Sequence, residues 1–312
     1  MEWHHALQVR VRYLFRLGEK FVDSRAVLTA ALISFSVCAF ALDQEETFIN
    51  LTPGQDMLDP ANLAQLLRQG DVRAMNNVGL LWAKGYNGKQ SYIEALNWWK
   101  EAAKRGYTVA MNNIGLMYAK GHGVEQDFKE AFAWWHQAAF LGNAWAMNNV
   151  GDLYENGHGV EQNLTMAMTW YQSAAEQGER MAMYNIGALY EAGKGVDRDY
   201  AAALTWFRKA AEKGDASAMH SIGAMYAEGR GVGADPVEAH AWYSVAGLRY
   251  PPEDAGEAKR NRHDLDELGA RLDPEQLARA KDRAAALGAL TRPAVPEPQK
   301  PLGPGEKATL LQ

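Results

Sequence analysis

Apolar positions in this chain recur on two scales. Over short stretches they fall three and four residues apart, as at Ala110, Met111, Ile114, Met117 and Tyr118, which share one face of a helix predicted over about residues 109–120. Over the chain, the whole pattern returns every 36 residues: Ala-Met opens a similar segment at Ala74, Ala110, Ala146, Ala182 and Ala218. Each continues with Asn or Ser, Val or Ile, and Gly, then an aromatic, a glycine turn, an Ala with an aromatic pair, and Ala-Ala before a further Gly. A fixed period of this length marks a stack of supersecondary units and has to be recognised before any element is assigned singly.

Each unit reads as two helices. A glycine lies inside every first helix (Gly79, Gly115, Gly151, Gly187, Gly223). Such a residue costs about 1 kcal/mol against Ala, so its recurrence implies a close approach of two helices. Gly121 and its counterparts end the first helices. The second helices begin at Ser91, Asp127, Asn163, Asp199 and Asp235, all good N-caps. Glu94, Glu130 and Glu238 stand three residues on, the spacing of a capping box. In the second unit the apolar face runs through Phe128, Ala131, Trp135, Ala138 and Ala139 to Gly142. Trp98, Trp134, Trp170, Trp206 and Trp242 recur beside that face, each followed by a second aromatic. Helical spacing and Ala neighbours assign these pairs to packing rather than to a sugar-stacking platform. One such hairpin cannot bury its apolar face alone; stacked neighbours can, which predicts an all-α solenoid.

The run from Ala110 to Trp134, Ala-x-x-x-Ile-Gly-x-x-Tyr-x-x-Gly-x-Gly-Val-x-x-Asp-x-x-x-Ala-x-x-Trp, resembles the Sel-one-like repeat, a relative of the tetratricopeptide repeat. The resemblance covers about residues 70–250 and implies a right-handed α-solenoid of helix-turn-helix repeats, with scaffolding or regulation as its use. Five units are expected over residues 74–252, preceded by a half-repeat cap at 59–73 and followed by two capping helices at 253–290. The second of these opens with the capping box Asp273-Pro274-Glu275-Gln276. The first unit departs from the pattern, with Gly85-Tyr86-Asn87-Gly88 in place of Gly-x-Gly-Val.

The ends change the picture. Residues 26–41 carry no charge, follow five Lys/Arg and finish in Ala39-Phe40-Ala41, which predicts a secretory signal over residues 1–41 cut before Leu42. A retained inner-membrane anchor facing the periplasm is the alternative, so any membrane contact would come from this segment alone. Residues 42–58 read as an acidic linker, and residues 291–312, with five of the eleven Pro, as a disordered tail. The one Cys, Cys38, lies inside the apolar run, so no disulfide framework is expected. The net charge of −6 argues against a nucleic-acid partner.

Catalytic and cofactor motifs are not found; the glycine turns with His122 and His158 lack the Lys-Ser/Thr of a phosphate loop. No cofactor, metal or catalytic residue is therefore assigned, and His136 and His240 are expected at the surface. The third, seventh and tenth positions of the first helices point away from a single hairpin's core. They predict a concave groove for a peptide or protein partner, lined by Asn76, Asn112, Asn148, Asp152, Glu155, Tyr184, Glu191 and His220, with Leu80 and Leu116 exposed. An Asn amide can donate to and accept from an extended peptide at once. At the fourth position, Asn77, Asn113, Asn149, Asn185 and Ser221 fit either that use or inter-repeat bonding. The expected function is a non-enzymatic exported adaptor in the bacterial periplasm or envelope. Secreted members of the family suggest the other reading, a protein that binds or hydrolyses cell-wall fragments or β-lactams; those members carry a disulfide in each repeat, which this chain lacks.

Overall fold

A computed structural model describes residues 60–85, 89–250 and 254–291. The signal, the acidic linker, the Tyr86-Asn87-Gly88 turn and the Pro-rich tail lie outside the described residues. Among those described there are thirteen helices and no strand. They fall into two compact units divided after Asp127. The first holds α1 (Pro60–Gln69), α2 (Val72–Lys84), α3 (Tyr92–Lys104) and α4 (Thr108–Lys120). The second holds α5 (Phe128–Phe140), α6 (Ala144–Asn156), α7 (Leu164–Glu176), α8 (Arg180–Ala192), α9 (Tyr200–Glu212), α10 (Ala216–Glu228), α11 (Pro236–Gly247), α12 (Ala255–Gly269) and α13 (Pro274–Leu290).

The helices start where local chemistry satisfies their free N–H groups. Ser91, Asn163, Asp199 and Asp235 accept from the first turns of α3, α7, α9 and α11. A second row of caps opens the first helices: Asp71, Asn143, Glu179 and Asp215 accept from Ala74, Ala146, Ala182 and Ala218. At the corresponding position Tyr107 makes no side-chain cap bond. The capping box is complete at Asp273 and Gln276, whose side chains and backbones exchange bonds of 2.8 and 3.0 Å. Glu238 does not close one. Its carboxylate turns outward to Trp242 Nε1 at 3.0 Å and to Arg283 of α13 at 2.8 Å.

The alanines that open the repeats (Ala74, Ala110, Ala146, Ala182, Ala218) are wholly buried. So is the second aromatic of the pair: Trp99, Tyr171 and Phe207 have no exposure, and Trp135 and Tyr243 have almost none. Trp98, Trp134 and Trp206 are half-buried, Trp206 beneath Lys209 Nζ at 3.9 Å, whereas Trp170 and Trp242 are buried. The mid-helix glycine explains this division. A Cβ on Gly187 would lie 2.7 Å from the Phe207 ring, and on Gly79 it would lie 2.4 Å from Trp99 Nε1. Tyr171 and Tyr243 sit on Gly151 and Gly223 in the same way. The missing side chain thus makes room for a ring from the partner helix of the same hairpin.

The turns lock one hairpin to the one before. Gly195 has φ +70°, and its Cβ would stand 2.5 Å from Leu164 Cβ at the start of α7. Beside the corresponding glycines, His122 stacks on Tyr92 at 4.6 Å and His158 stacks on Phe128 at 4.7 Å. Phe128 is therefore half-buried, a turn contact rather than a core residue. At the C-terminal end α12 and α13 each pack on α11. Arg283 of α13 grips Glu238, and Leu287 is buried. His136 is exposed as expected. His240 is not: it is buried, with the Gly269 backbone of α12 against its ring.

Candidate partner-binding face

The first-helix positions divide differently from the sequence expectation. Asn76, Asn112 and Asn148 are buried, at 0, 3 and 5 % exposure. Asn76 Oδ1 accepts from Asn113 Nδ2 at 3.1 Å, and Asn148 Oδ1 accepts from Asn185 Nδ2 at 3.0 Å. At Asn76 and Asn148 the third position of one repeat thus clasps the fourth position of the next. A wheel drawn for one hairpin leaves that flank open; the following repeat covers it. The three third-position Asn are therefore not open to a partner. Leu80 is buried and Leu116 half-buried, so the expected exposed leucines are not there either.

The second unit keeps a polar face. Asp152 is exposed, and its Oδ1 accepts from Asn156 at 3.0 Å. The surrounding protein, and then Glu155, push its carboxyl above the ordinary range. Glu155 is half-buried; it accepts from Tyr171 OH at 2.9 Å and meets Lys194 Nζ at 3.7 Å. Glu191 repeats the arrangement one unit on, paired with Arg230 at 2.5 Å. Each tenth-position carboxylate is thus partly neutralised by the turn cation of the next repeat. Ala188 and Ala224 lie half-buried on the same first-helix face, and Ala227 is exposed. Tyr184 is tilted over Phe207 at 5.5 Å and bonded to Ser221; burial raises its phenol.

His220 belongs elsewhere. Its Nε2 lies 3.0 Å from Asp264 of α12, and its edge faces Tyr243 at 5.1 Å. The third-position register put it in the groove, whereas the C-terminal cap covers it. Among the described residues no group of three His, Cys, Asp or Glu could hold a metal ion, and no helix is long and apolar enough to cross a membrane. The inter-repeat pairings Glu155–Lys194 and Glu191–Arg230 were missed by sequence reasoning. Their signal was a recurrence at 39 residues rather than 36.

No curated protein matches the sequence. Among solved structures, a Sel1 repeat protein from Oxalobacter formigenes is 32 % identical with a TM-score of 0.54, covering 61 % of this chain and 79 % of its own. The protein c5321, a protective antigen present in uropathogenic Escherichia coli strains and displaying an SLR fold, is 26 % identical with a TM-score of 0.55. That match covers 89 % of this chain and 64 % of c5321, so this chain spans just under two thirds of that protein. The Sel1 repeat model matches residues 72–107, 108–143, 146–179, 180–215 and 216–248. Five matched units over more than half of the sequence, each spanning two consecutive helices, show that the chain belongs to the Sel1 repeat family, whose fold generally serves protein–protein interaction rather than catalysis.

Proposed function

We propose that this protein is an exported, non-enzymatic adaptor that binds a polar or basic segment of a protein partner on the first-helix face of its second unit. The observation that carries the reading is the row Asp152, Ala188 and Ala224 on that face, small or acidic, with Asp152 exposed and the two alanines half-buried. Asp152 supplies an exposed carboxylate, and the alanines leave room for a backbone to approach. Glu155 and Glu191 flank the row, already bonded and held in place. Export rests on the charge-free run at residues 26–41 behind its five Lys/Arg; the description of c5321 as a protective antigen agrees with it.

The test is photo-crosslinking of the full chain in cells, with the probe at position 188 and the captured protein identified. Asp152→Lys together with Ala224→Arg should reduce the product at least tenfold while leaving helicity unchanged. Higher salt should weaken capture, as for exposed charges generally. Undiminished capture by the double variant would remove this face from consideration. A mature mass that retains residues 1–41 would overturn cleavage and support the anchored form.

A further inference from the structure

Two helices close the C-terminal end, and they are held differently. α13 keeps its place through buried Ala280 and Leu287 and through two bonds from Arg283 to Glu238 at 2.8 and 3.0 Å. Its Gly288 carbonyl also accepts from Arg249 at 3.3 Å. α12 is fifteen residues long, yet it buries one side chain, Asn261. Its apolar residues Ala258, Leu265 and Leu268 are only half-buried. Both helices pack on α11 rather than pairing with each other as the repeat hairpins do, so α13 does not hold α12 down. The anchors of α12 are polar: Asn261 Nδ2 donates to the Tyr243 carbonyl at 2.9 Å, and Asp264 Oδ2 lies 3.0 Å from His220 Nε2. Elements with few buried apolar contacts open at the low end of a protein's stability range.

The place that α12 covers is the end of the partner face. His220 and Ala224 stand four residues apart on α10 and so share one side of it. Ala224 is the last member of the row Asp152, Ala188 and Ala224, and Asp264 of α12 sits on His220 beside it. Further back in the array the third-position side chain is taken by the next repeat, as Asn148 is by Asn185. At His220 no further repeat follows, and α12 takes that place instead.

We propose that α12 is an autoinhibitory strap: it ends the partner face at Ala224 and opens, with α13 still docked, to let a partner segment run on over His220. This rests on the reading of that face as the partner's site. With α12 closed, the segment stops at Ala224. To continue, it must take the place of Asp264 on His220 and of Asn261 on the Tyr243 carbonyl. Both are hydrogen-bonding contacts, which a polar segment and water can exchange at little net loss.

Hydrogen exchange by mass spectrometry on the full chain, followed through a series of low urea concentrations, tests the opening. Amides of residues 255–269 should open at lower urea than those of residues 274–290; the two opening together, or the second first, would overturn the strap. Photo-crosslinking in cells, with the probe at position 188 or at position 224, tests the gating. Asn261→Asp sets a carboxylate oxygen against the Tyr243 carbonyl in place of the N–H, at a residue with 1 % exposure. It should open α12 about tenfold more often while residues 274–290 hold. Capture from position 224 should then rise roughly threefold or more, as the competent fraction grows, and capture from position 188 should stay level. A variant in which α12 stays closed, or one in which α12 opens and capture rises at neither position, overturns the strap and leaves the partner face standing. No capture from either position in any form removes the face, and the strap with it.

Discussion

Replacing Gly187 by Ala sets two well-known effects against each other. Helix propensity alone predicts a gain of about 1 kcal/mol, because Gly lies mid-helix in α8. The packing predicts a loss. The new Cβ would stand 2.7 Å from Cδ1 and Cε1 of Phe207 and 3.2 Å from Cγ, against a ring with no exposure. Carbon contacts settle at about 3.5–4.0 Å, so ring or helix must retreat by roughly 1 Å. Overpacking of this kind costs about 1–3 kcal/mol. The net expectation is a loss of about 1 kcal/mol, opposite in sign to propensity. Gly288 is the control: it is helical, and a Cβ there would meet nothing within 4 Å. Gly288→Ala should therefore stabilise by up to about 1 kcal/mol. Urea unfolding of both variants reads the difference, and Phe207→Leu in the Gly187→Ala background should recover part of the loss through coupling between neighbours. If Gly187→Ala stabilises as much as Gly288→Ala does, the ring does not lie on the glycine and the account of the repeat's core is wrong.

Two further expectations follow from buried polar groups. Asn148→Ala leaves the half-buried Asn185 Nδ2 without its acceptor and should cost about 1 kcal/mol in thermal unfolding, the net worth of a typical hydrogen bond; a negligible change would mean that the clasp is idle. Glu179→Gln concerns a carboxylate raised chiefly by burial and partly offset by its bonds to the Ala182 and Met181 backbone. A folded pKa above the unfolded one means that stability is lost as the pH rises from about 4.5 through the folded value, so the neutral cap should unfold later than native at pH 7. That advantage should shrink as the pH falls towards 4.5, and a variant less stable than native at pH 7 would contradict it.

The lattice was legible because it is written in residues whose jobs are local. Gly121 must take φ +68°, Ser91 and Asp199 must cap, and Ala110 must vanish between helices; none of these depends on which repeat lies next door. The core ring was legible as well, since Trp135 falls on the apolar face of its helix and is buried. Its seat was not: the mid-helix Gly79 reads as a close approach of two helices, whereas it makes room for the Trp99 ring. Buried His240 escaped for a similar reason: its position is judged from its own helix, whereas its cover comes from α12. The groove failed most clearly at the asparagines. A helical wheel sorts side chains by angle about one axis, but in a stacked array the following repeat covers part of the outward arc.

Position within the repeat therefore says what a residue is built from, and departure from the repeat says what it is for. Asn76 and Asn148 occupy the third position and clasp the next hairpin. Tyr184 and His220 occupy the same position and do not carry an amide. Tyr184 reaches Ser221 with a hydroxyl and lays its ring on Phe207. His220, with no sixth repeat to clasp, bonds instead to Asp264, on a helix that buries a single residue. Substituting Asn for His there restores the register while removing the titratable group. The array's regularity thereby supplies its own control: two repeats show what an amide does at this position, so any behaviour confined to His220 belongs to the imidazole and not to the fold.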